Sequence, residues 1–211
     1  MTGVLFDLDG VLIDSESIYS EFWSNIDKLY PTGIDEFAYR IKGSNLQRIL
    51  NFFPDKEIQK DILKRIDVRE KSMIYPIFPG VMDFLNELNA ANIPCAIVTS
   101  SDITKMNNLF KQHPDFRSHF QGMITGDMVS KSKPDPECFH KGAQSIGVPI
   151  NDCIIFEDSP SGIEAALATG TKVIALATTL KIEDINKKVD KIINSFVDFH
   201  VNDMLSVFSK P

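Results

Sequence analysis

Short apolar runs recur along the chain, with longer amphipathic stretches between them. The runs cover residues 4–6, 94–98, 123–124, 153–156 and 172–176. Uninterrupted apolar runs of this length are typical of parallel strands that are buried on both faces. We therefore predict five buried strands in one parallel sheet.

Helical periodicity fills the gaps between these runs. Val81, Phe84, Leu85 and Leu88, for example, recur at the spacing of one helix face. The predicted helices cover residues 81–91, 103–111, 136–146 and 159–169. Strands that alternate with helices of this length predict a doubly wound α/β fold.

The segment 15–77 breaks the alternation. Its helical patterns cover residues 18–29, 46–53 and 57–73, and it contains no convincing strand. Pro76, Pro79 and Gly80 mark the return to the alternating pattern, since Pro and Gly end regular elements. We predict an α/β core of residues 1–14 and 78–211, with a small helical cap of residues 15–77 inserted after the first strand.

Composition narrows the class of protein. The chain has 211 residues, 43% hydrophobic and 24% charged, with a formal net charge of -7. Such a charge argues against a nucleic-acid partner, which needs clustered Lys and Arg. No apolar window approaches the roughly 18 residues of a membrane helix, so we expect a cytoplasmic monomer without a membrane partner. Cys95, Cys138 and Cys153 lie in or beside apolar runs and are expected to be buried thiols.

Polar residues that could take part in catalysis or binding follow the predicted strands. They are Asp7 and Asp9 after the first run, Thr99 and Ser100 after the second, Lys133 in the turn after the third, and Glu157 and Asp158 after the fourth. Ligands of open α/β sheets bind at the carboxyl ends of the strands. We therefore expect these side chains to meet.

Each patch taken alone has a plainer explanation. Asp-x-Asp-Gly suits a tight turn, and Thr-Ser-Ser suits a helix N-cap. Glu157 and Asp158 before a helix could serve capping and the helix dipole, and Lys-Pro could be a solvated turn. Acidic residues, a lysine and a hydroxyl pair at one edge of one sheet nevertheless favour a functional site.

Four segments resemble the motifs of the haloacid dehalogenase superfamily, in family order. They are FDLDGVLIDS (6–15), IVTSS (97–101), SKPDPECF (132–139) and IIFEDSPSGIEAA (154–166). IFPGV (77–81) also resembles the return from a helical cap to the core. Within the superfamily, the chain is similar to the branch of β-phosphoglucomutase and small sugar-phosphate phosphatases.

The resemblance implies a nucleophile and a metal. Asp7 would attack phosphorus and form an aspartyl-phosphate. Mg²⁺ would bind the Asp7 side chain, the Asp9 backbone carbonyl and Asp158, with Glu157 as a less secure ligand. Slow phosphate-ester hydrolysis requires such a combination of covalent catalysis and charge stabilisation.

The resemblance also implies roles for the remaining motif residues. Lys133 would balance negative charge, while Thr99 and Ser100 bind the phosphoryl oxygens. Asp9 would act as general acid and then as general base. Since an unperturbed Asp has a pKa near 3.9, we expect the pKa of Asp9 to be raised by burial or by its acidic neighbours.

The cap offers candidate substrate contacts. Residues 40–44 lie where relatives carry a Lys-Gly segment that reaches the substrate, and Lys42 and Arg48 are the candidate contacts, although both are at least as compatible with solvated helix charges. Leu46 stands where the mutase has an arginine for a second phosphate. This difference favours a phosphatase of a small phosphorylated metabolite over a phosphomutase. A non-catalytic phospho-acceptor or binding protein is the third alternative.

Overall fold

One parallel sheet forms the centre of the computed structural model, which describes residues 2–42, 44–185 and 188–209. Within these residues the sheet has six strands, in the order β3-β2-β1-β4-β5-β6, and every adjacent pair is parallel. The strands are β1 (Gly3–Phe6), β2 (Cys95–Val98), β3 (Gly122–Ile124), β4 (Cys153–Glu157), β5 (Lys172–Leu176) and β6 (Lys191–Ile193). The predicted α/β fold with a parallel sheet is therefore confirmed.

Strand β6 is the one that the apolar pattern did not predict. It has three residues, begins with Lys191, and is half-buried at the edge of the sheet. The five predicted strands lie within a residue or two of their expected bounds. An edge strand needs only one apolar face, so its sequence lacks the uninterrupted apolar run of a central strand.

Helices cover both faces of the sheet. They are α5 (Val81–Ala90), α6 (Ile103–Gln112), α7 (Glu137–Ser145), α8 (Pro160–Ala168) and α9 (Val201–Leu205). Short 3-10 turns cover Phe116–His119, Gly126–Met128, Ile150–Asp152, Ile182–Asp184 and Ser206–Ser209. None of the helices in the described part of the chain is long and apolar enough to cross a membrane.

Alternate residues of the central strands enter separate clusters on the two faces. In β1, Val4 and Phe6 join one cluster, whereas Leu5 joins the other. Phe6 stacks on Phe156 of β4 with ring centroids 5.0 Å apart. The sheet is thus buried on both sides, as its uninterrupted apolar runs predict.

In its described residues, the insert after β1 contains four helices with a cluster of their own. The helices are α1 (Glu16–Leu29), α2 (Phe37–Arg40), α3 (Leu46–Leu50) and α4 (Lys56–Ser72). Their buried cluster comprises Trp23, Ile26, Phe37, Ile41, Ile49, Leu50, Phe53, Ile62 and Ile66. Helix α2 was not predicted, because four residues are too short to show a helical period.

The three cysteines are buried free thiols, as expected. Burial raises the pKa of Cys95 to about 12 and those of Cys138 and Cys153 to about 11. Thiols with such raised pKa values remain protonated at neutral pH and act as small apolar side chains.

Candidate active site

A cavity of about 190 Å³ lies between the carboxyl ends of the strands and the helices of the insert. Its lining includes most of the polar residues predicted to meet: Asp7, Asp9, Thr99, Ser100, Lys133 and Asp158. Glu157 lies directly behind this wall and is fully buried. The parallel sheet therefore brings all seven residues to one edge, as the position of the strand ends predicts.

Asp7 lies where β1 ends and is almost completely buried. Its backbone N–H donates to the Phe156 carbonyl of β4 at 3.0 Å, which continues the sheet by one residue. Its Oδ1 accepts a hydrogen bond from Lys133 Nζ at 2.5 Å. The strand thus fixes the backbone of Asp7, and the lysine fixes its carboxylate.

Lys133 joins two acidic residues from different strand ends. Its Nζ donates to Asp7 Oδ1 at 2.5 Å and to Glu157 Oε1 at 2.7 Å, and it lies 3.3 Å from the Val98 carbonyl. Burial disfavours the charged amine, but Asp7 and Glu157 outweigh that cost and raise the pKa of Lys133. The lysine is therefore a permanent cation at neutral pH.

Glu157 organises the loop that begins α8. Its Oε2 accepts from the backbone N–H groups of Asp158 (2.7 Å) and Ser159 (2.9 Å) and from Ser159 Oγ (3.1 Å). Gly162 packs so closely that an added Cβ would lie 1.7 Å from Glu157 Oε1. Both Glu157 oxygens therefore accept hydrogen bonds from the protein. Glu157 holds the Asp158 backbone and the Lys133 side chain in place and does not itself line the cavity.

Among the residues that the structure describes, three buried carboxylates cluster around one buried lysine in this part of the site. Ligand oxygens of Asp7, Glu157 and Asp158 lie within 4.8 Å of one another, and Lys133 contacts Asp7 and Glu157. Burial raises the pKa of Asp7 to about 8, Lys133 opposes this rise, and Glu157 and Asp9 add to it. Three clustered carboxylates with one lysine fit a hard divalent cation, which would supply the missing positive charge.

Gly10 permits the close approach of the first and fourth strand ends. Its φ is 79°, and an added Cβ would lie 1.9 Å from Asp158 Oδ2. Thr178 Oγ1 donates to the Gly10 carbonyl at 2.5 Å. Only glycine satisfies both the left-handed backbone and the contact with Asp158.

The hydroxyl pair after β2 faces the cavity and does not cap α6. Thr99 is buried, and its Oγ1 accepts from the backbone N–H of Ser101 at 3.0 Å, while Ser100 is half-buried. The side chain that caps α6 belongs to Asp102, which accepts from the Lys105 backbone N–H at 2.9 Å. The alternative interpretation of Thr-Ser-Ser as an N-cap is therefore wrong.

The pKa of Asp9 shifts in the direction opposite to the one expected. Its Oδ1 accepts from Ser15 Oγ and from Lys105 Nζ, the latter at 2.5 Å, and its Oδ2 accepts from Ser101 Oγ at 2.8 Å. Burial favours the protonated form, but the charge of Lys105 and these hydrogen bonds outweigh it and lower the pKa of Asp9. The expected rise in pKa falls on Asp7 instead, because burial and the charges of Glu157 and Asp9 outweigh the effect of Lys133 there.

Lys105, Ser15 and Ser101 were missed by sequence reasoning. A signal for Lys105 was present, since it precedes Met106 and lies one turn before Leu109 on the apolar face of the predicted helix. A lysine on a buried face requires a buried partner. No signal marked the serines, because hydroxyls near a strand end or helix start have many local uses.

The two candidate contacts of the cap have different positions. Lys42 is half-buried and lines the cavity, and its Nζ lies 5.8 Å from the centre of the Tyr39 ring. The structure does not bring Arg48 to the cavity. Arg48 is exposed on α3, because that helix turns Ile49 and Leu50 inward. Leu46 lines the cavity, and Gly43 lies outside the described residues.

Fold and site together define a class of enzyme. An acidic pair after the first strand, a buried lysine and a second acidic pair meet at the edge of a parallel sheet, beneath a helical insert. Residues 4–176 match the family model described as haloacid dehalogenase-like hydrolase. The chain belongs to this family, which confirms the resemblance and the expected enzyme class.

Named relatives within this family are similar over most of the chain. Hexitol phosphatase A of Escherichia coli is 31% identical, over 92% of this chain and 90% of that protein. The phosphorylated carbohydrates phosphatase of Thermotoga maritima is 29% identical, over 82% and 84%. The crystal structure of a β-phosphoglucomutase from Clostridium difficile superposes with a TM-score of 0.81 at 20% identity, covering 99% and 98%, which shows a shared fold.

Proposed function

We propose that the protein is a Mg²⁺-dependent phosphatase that hydrolyses a small phosphorylated metabolite, a sugar phosphate, through an aspartyl-phosphate on Asp7. One observation carries the proposal. Asp7 accepts a hydrogen bond from Lys133, has a carboxylate oxygen within 4.8 Å of one of Asp158, and lines a cavity whose wall also includes residues of the insert. The names of the relatives from E. coli and T. maritima support the substrate class.

The first half-reaction transfers the phosphoryl group to Asp7. Thr99, Ser100 and Lys133 line the cavity beside Asp7 and would bind the phosphoryl oxygens. These groups are held by the surrounding protein before substrate arrives, so little reorganisation is needed when charge moves in the transition state. The covalent step divides one difficult displacement into two easier ones.

The proposed metal site uses residues that the cluster already brings together. Asp7 and Asp158 would hold the ion with the Asp9 backbone carbonyl, and Glu157 would support them through Lys133 and the Asp158 N–H. A bound Mg²⁺ would supply the positive charge that lets a carboxylate approach a phosphate dianion.

Asp9 is proposed to transfer protons in both half-reactions. With its lowered pKa it is ionised here, which is the form needed to activate water against the aspartyl-phosphate. The first half-reaction needs the protonated form, so that Asp9 can donate to the leaving alcohol. A bound phosphate dianion would raise the pKa of a neighbouring carboxyl and so favour that form.

The insert is proposed to act as a cap, residues 15–77, that selects the leaving group. Its cavity wall is mixed: Ser20 and Asn45 are polar, whereas Trp23, Leu46 and Ile49 are apolar. Such a wall suits the hydroxyls and C–H faces of a sugar. With Leu46 in the cavity and Arg48 outside it, the wall favours a monophosphate substrate and hydrolysis over a mutase reaction.

Phosphate release by wild type and Asp7→Asn tests the proposal. The panel would contain hexose, hexitol and glycerol phosphates with Mg²⁺, and β-glucose 1-phosphate with and without glucose 1,6-bisphosphate. We expect free phosphate from wild type, a loss of roughly 10³-fold or more in Asp7→Asn, and loss on chelation of Mg²⁺. Asp152→Asn, an exposed site, is the matched control.

Three results would contradict the proposal. Phosphate release that persists in Asp7→Asn would exclude Asp7 as the nucleophile. Bisphosphate-dependent glucose 6-phosphate with little free phosphate would establish a phosphomutase. Absence of turnover on the whole panel, with a stable phosphorylated Asp7, would favour the phospho-acceptor.

A further inference from the structure

Lys105 is a second buried cation of the site, separate from the one that contacts Asp7. It lies in the first turn of α6 with 3% of its surface exposed, and its Nζ is 2.5 Å from Asp9 Oδ1. The same Nζ lies 4.5 Å from the ring centre of Tyr19 and 5.9 Å from that of Tyr75. Lys105 is thus enclosed by one carboxylate and two aromatic rings.

A lysine in this place is costly unless it is paired. The neighbouring residues on the inner face of α6, Met106 and Leu109, are fully buried, so an apolar residue at position 105 would suit the packing. Burying an unpaired ammonium group is strongly unfavourable, and Asp9 is the partner that offsets this cost. The lysine and the carboxylate therefore determine each other's positions.

We propose that Lys105 is a positioning residue that holds the Asp9 carboxylate in the orientation required for proton transfer. The inference rests on the proposed function, in which Asp9 is the acid and base. Ser101 binds Asp9 Oδ2, whereas Lys105 and Ser15 bind Oδ1. Without Lys105, two neutral hydroxyls are the hydrogen-bond donors left to the carboxylate among the described residues, and both can rotate to other partners.

The same lysine connects Asp9 to the insert. Tyr19 of α1, whose ring lies against Lys105, donates its hydroxyl to Glu70 Oε1 of α4 at 2.9 Å. Helix α1 therefore contacts the residue that holds Asp9 directly, and α4 is linked to it through Tyr19. Lys105 does not contact the proposed nucleophile or metal ligands through their side chains, so its loss should affect leaving-group protonation more than phosphoryl binding.

The test compares leaving groups that do and do not need a proton. In Lys105→Met, kcat/KM should fall about 10²-fold for a sugar or alkyl phosphate, the scale of general acid catalysis. For p-nitrophenyl phosphate, whose leaving group departs unprotonated, the fall should be under about fivefold. Lys105→Arg, which keeps the charge and the donors, should recover sugar phosphate turnover to within about tenfold of wild type.

The matched control is Lys111→Met, an exposed lysine of the same helix, which should leave both substrates unchanged. In an Asp9→Asn background, Lys105→Met should add no more than about twofold, because a residue that acts through Asp9 has nothing left to position. Equal losses on both substrates, or losses that multiply in the double variant, would overturn the inference and leave Lys105 a structural residue.

A crystal structure of Lys105→Met gives a readout that does not need activity. We expect the Asp9 carboxylate to be displaced from Ser101 or to occupy more than one position, and an unchanged Asp9 would overturn the inference. Failure of the proposed function is distinguishable, since it would show as absent wild-type turnover on every phosphate ester, whatever the position of Asp9.

Discussion

The two walls of the cavity are built on different principles. On the core side, Asp7, Lys133, Glu157 and Asp158 are almost fully buried, and Lys133 joins two of the acids in one hydrogen-bonded group. On the insert side, the lining side chains are largely neutral and several are only half-buried, with Lys42 and Glu70 as the charged residues among those described.

This difference suits the core wall to the chemical step and the insert wall to substrate selection. Buried charges are tolerated only where the backbone places their partners at hydrogen-bond distance, so the core wall has little freedom to change. The neutral, half-buried residues of the insert wall carry no such condition and can be exchanged at modest cost. We therefore expect variants of the core wall to abolish turnover, and variants of the insert to alter local stability or substrate preference.

After Asp7→Asn, the largest effect is expected from Lys133→Met on the core side. It leaves the Asp7 and Glu157 carboxylates together without their common cation, and it removes a donor to the phosphoryl group. Loss of such a donor costs about 10² to 10³-fold in kcat, which steady-state phosphate release would measure. Lys131→Met is the matched control, since Lys131 is exposed and pairs with Asp135 at 3.5 Å. A kcat within a few fold of wild type would show that the buried lysine serves folding alone.

An intermediate effect is expected from Ile62→Ala in α4. Ile62 is fully buried in the cluster of the insert, and such truncations cost about 2 to 5 kcal/mol. If residues 15–77 form a cap with its own stability, hydrogen exchange should accelerate in α1 to α4 and remain slow in the sheet. The comparison variant is Ile154→Ala in β4, which should accelerate exchange throughout the core. Equal acceleration everywhere in Ile62→Ala would argue against a separate cap.

The smallest effect is expected from an exposed ion pair far from the cavity. His200 Nδ1 lies 2.7 Å from Glu87 Oε1. Glu87 raises the pKa of His200, and His200 lowers the pKa of Glu87. The contribution of His200 to the free energy of unfolding is therefore full below its unfolded pKa of about 6.5. It is lost as the pH rises through the raised pKa of the folded state. The contribution of Glu87 to the free energy of unfolding is present above its unfolded pKa of about 4.5. It is lost as the pH falls through the lowered pKa of the folded state.

Thermal unfolding of wild type and His200→Gln between pH 4 and 9 measures this pair. The difference in Tm should be small, largest near pH 5 to 6, and should vanish in alkaline buffer. A difference that grows with pH would contradict the assignment. The effect of this exposed pair should be smaller than that of the buried Lys133 pairs, because solvent and salt screen exposed charges.

Much of the fold followed from local pattern. Apolar runs identified five of the six described strands, and the seven motif residues followed because strand ends in a parallel sheet share one edge. Helix α2 escaped prediction because four residues cannot show a helical period, and β6 because it lies at the sheet edge and lacks an uninterrupted apolar run. The division into residues 1–14, 15–77 and 78–211 stays a prediction.

The details of the site depended on contacts between distant residues. Asp102, not Thr99 or Ser100, caps α6, because the chain bends at the end of β2 before the helix begins. Arg48 is exposed because the apolar neighbours on α3 turn inward. Neither outcome is visible in the spacing of the residues, since each depends on which side of a short element faces the rest of the molecule.

The sequence alone determined the alternation of five strands with helices and the residues that gather at the strand ends, because periodicity and strand polarity are local properties, while the resemblance of four motifs indicated the family. Only the tertiary structure decided how charge is distributed among those residues. Asp7 and Asp9 are two positions apart in the chain, yet burial and acidic neighbours raise the pKa of one while Lys105 lowers that of the other. A pKa depends on which groups lie within a few ångströms, and for Asp9 the deciding group lies 96 residues along the chain.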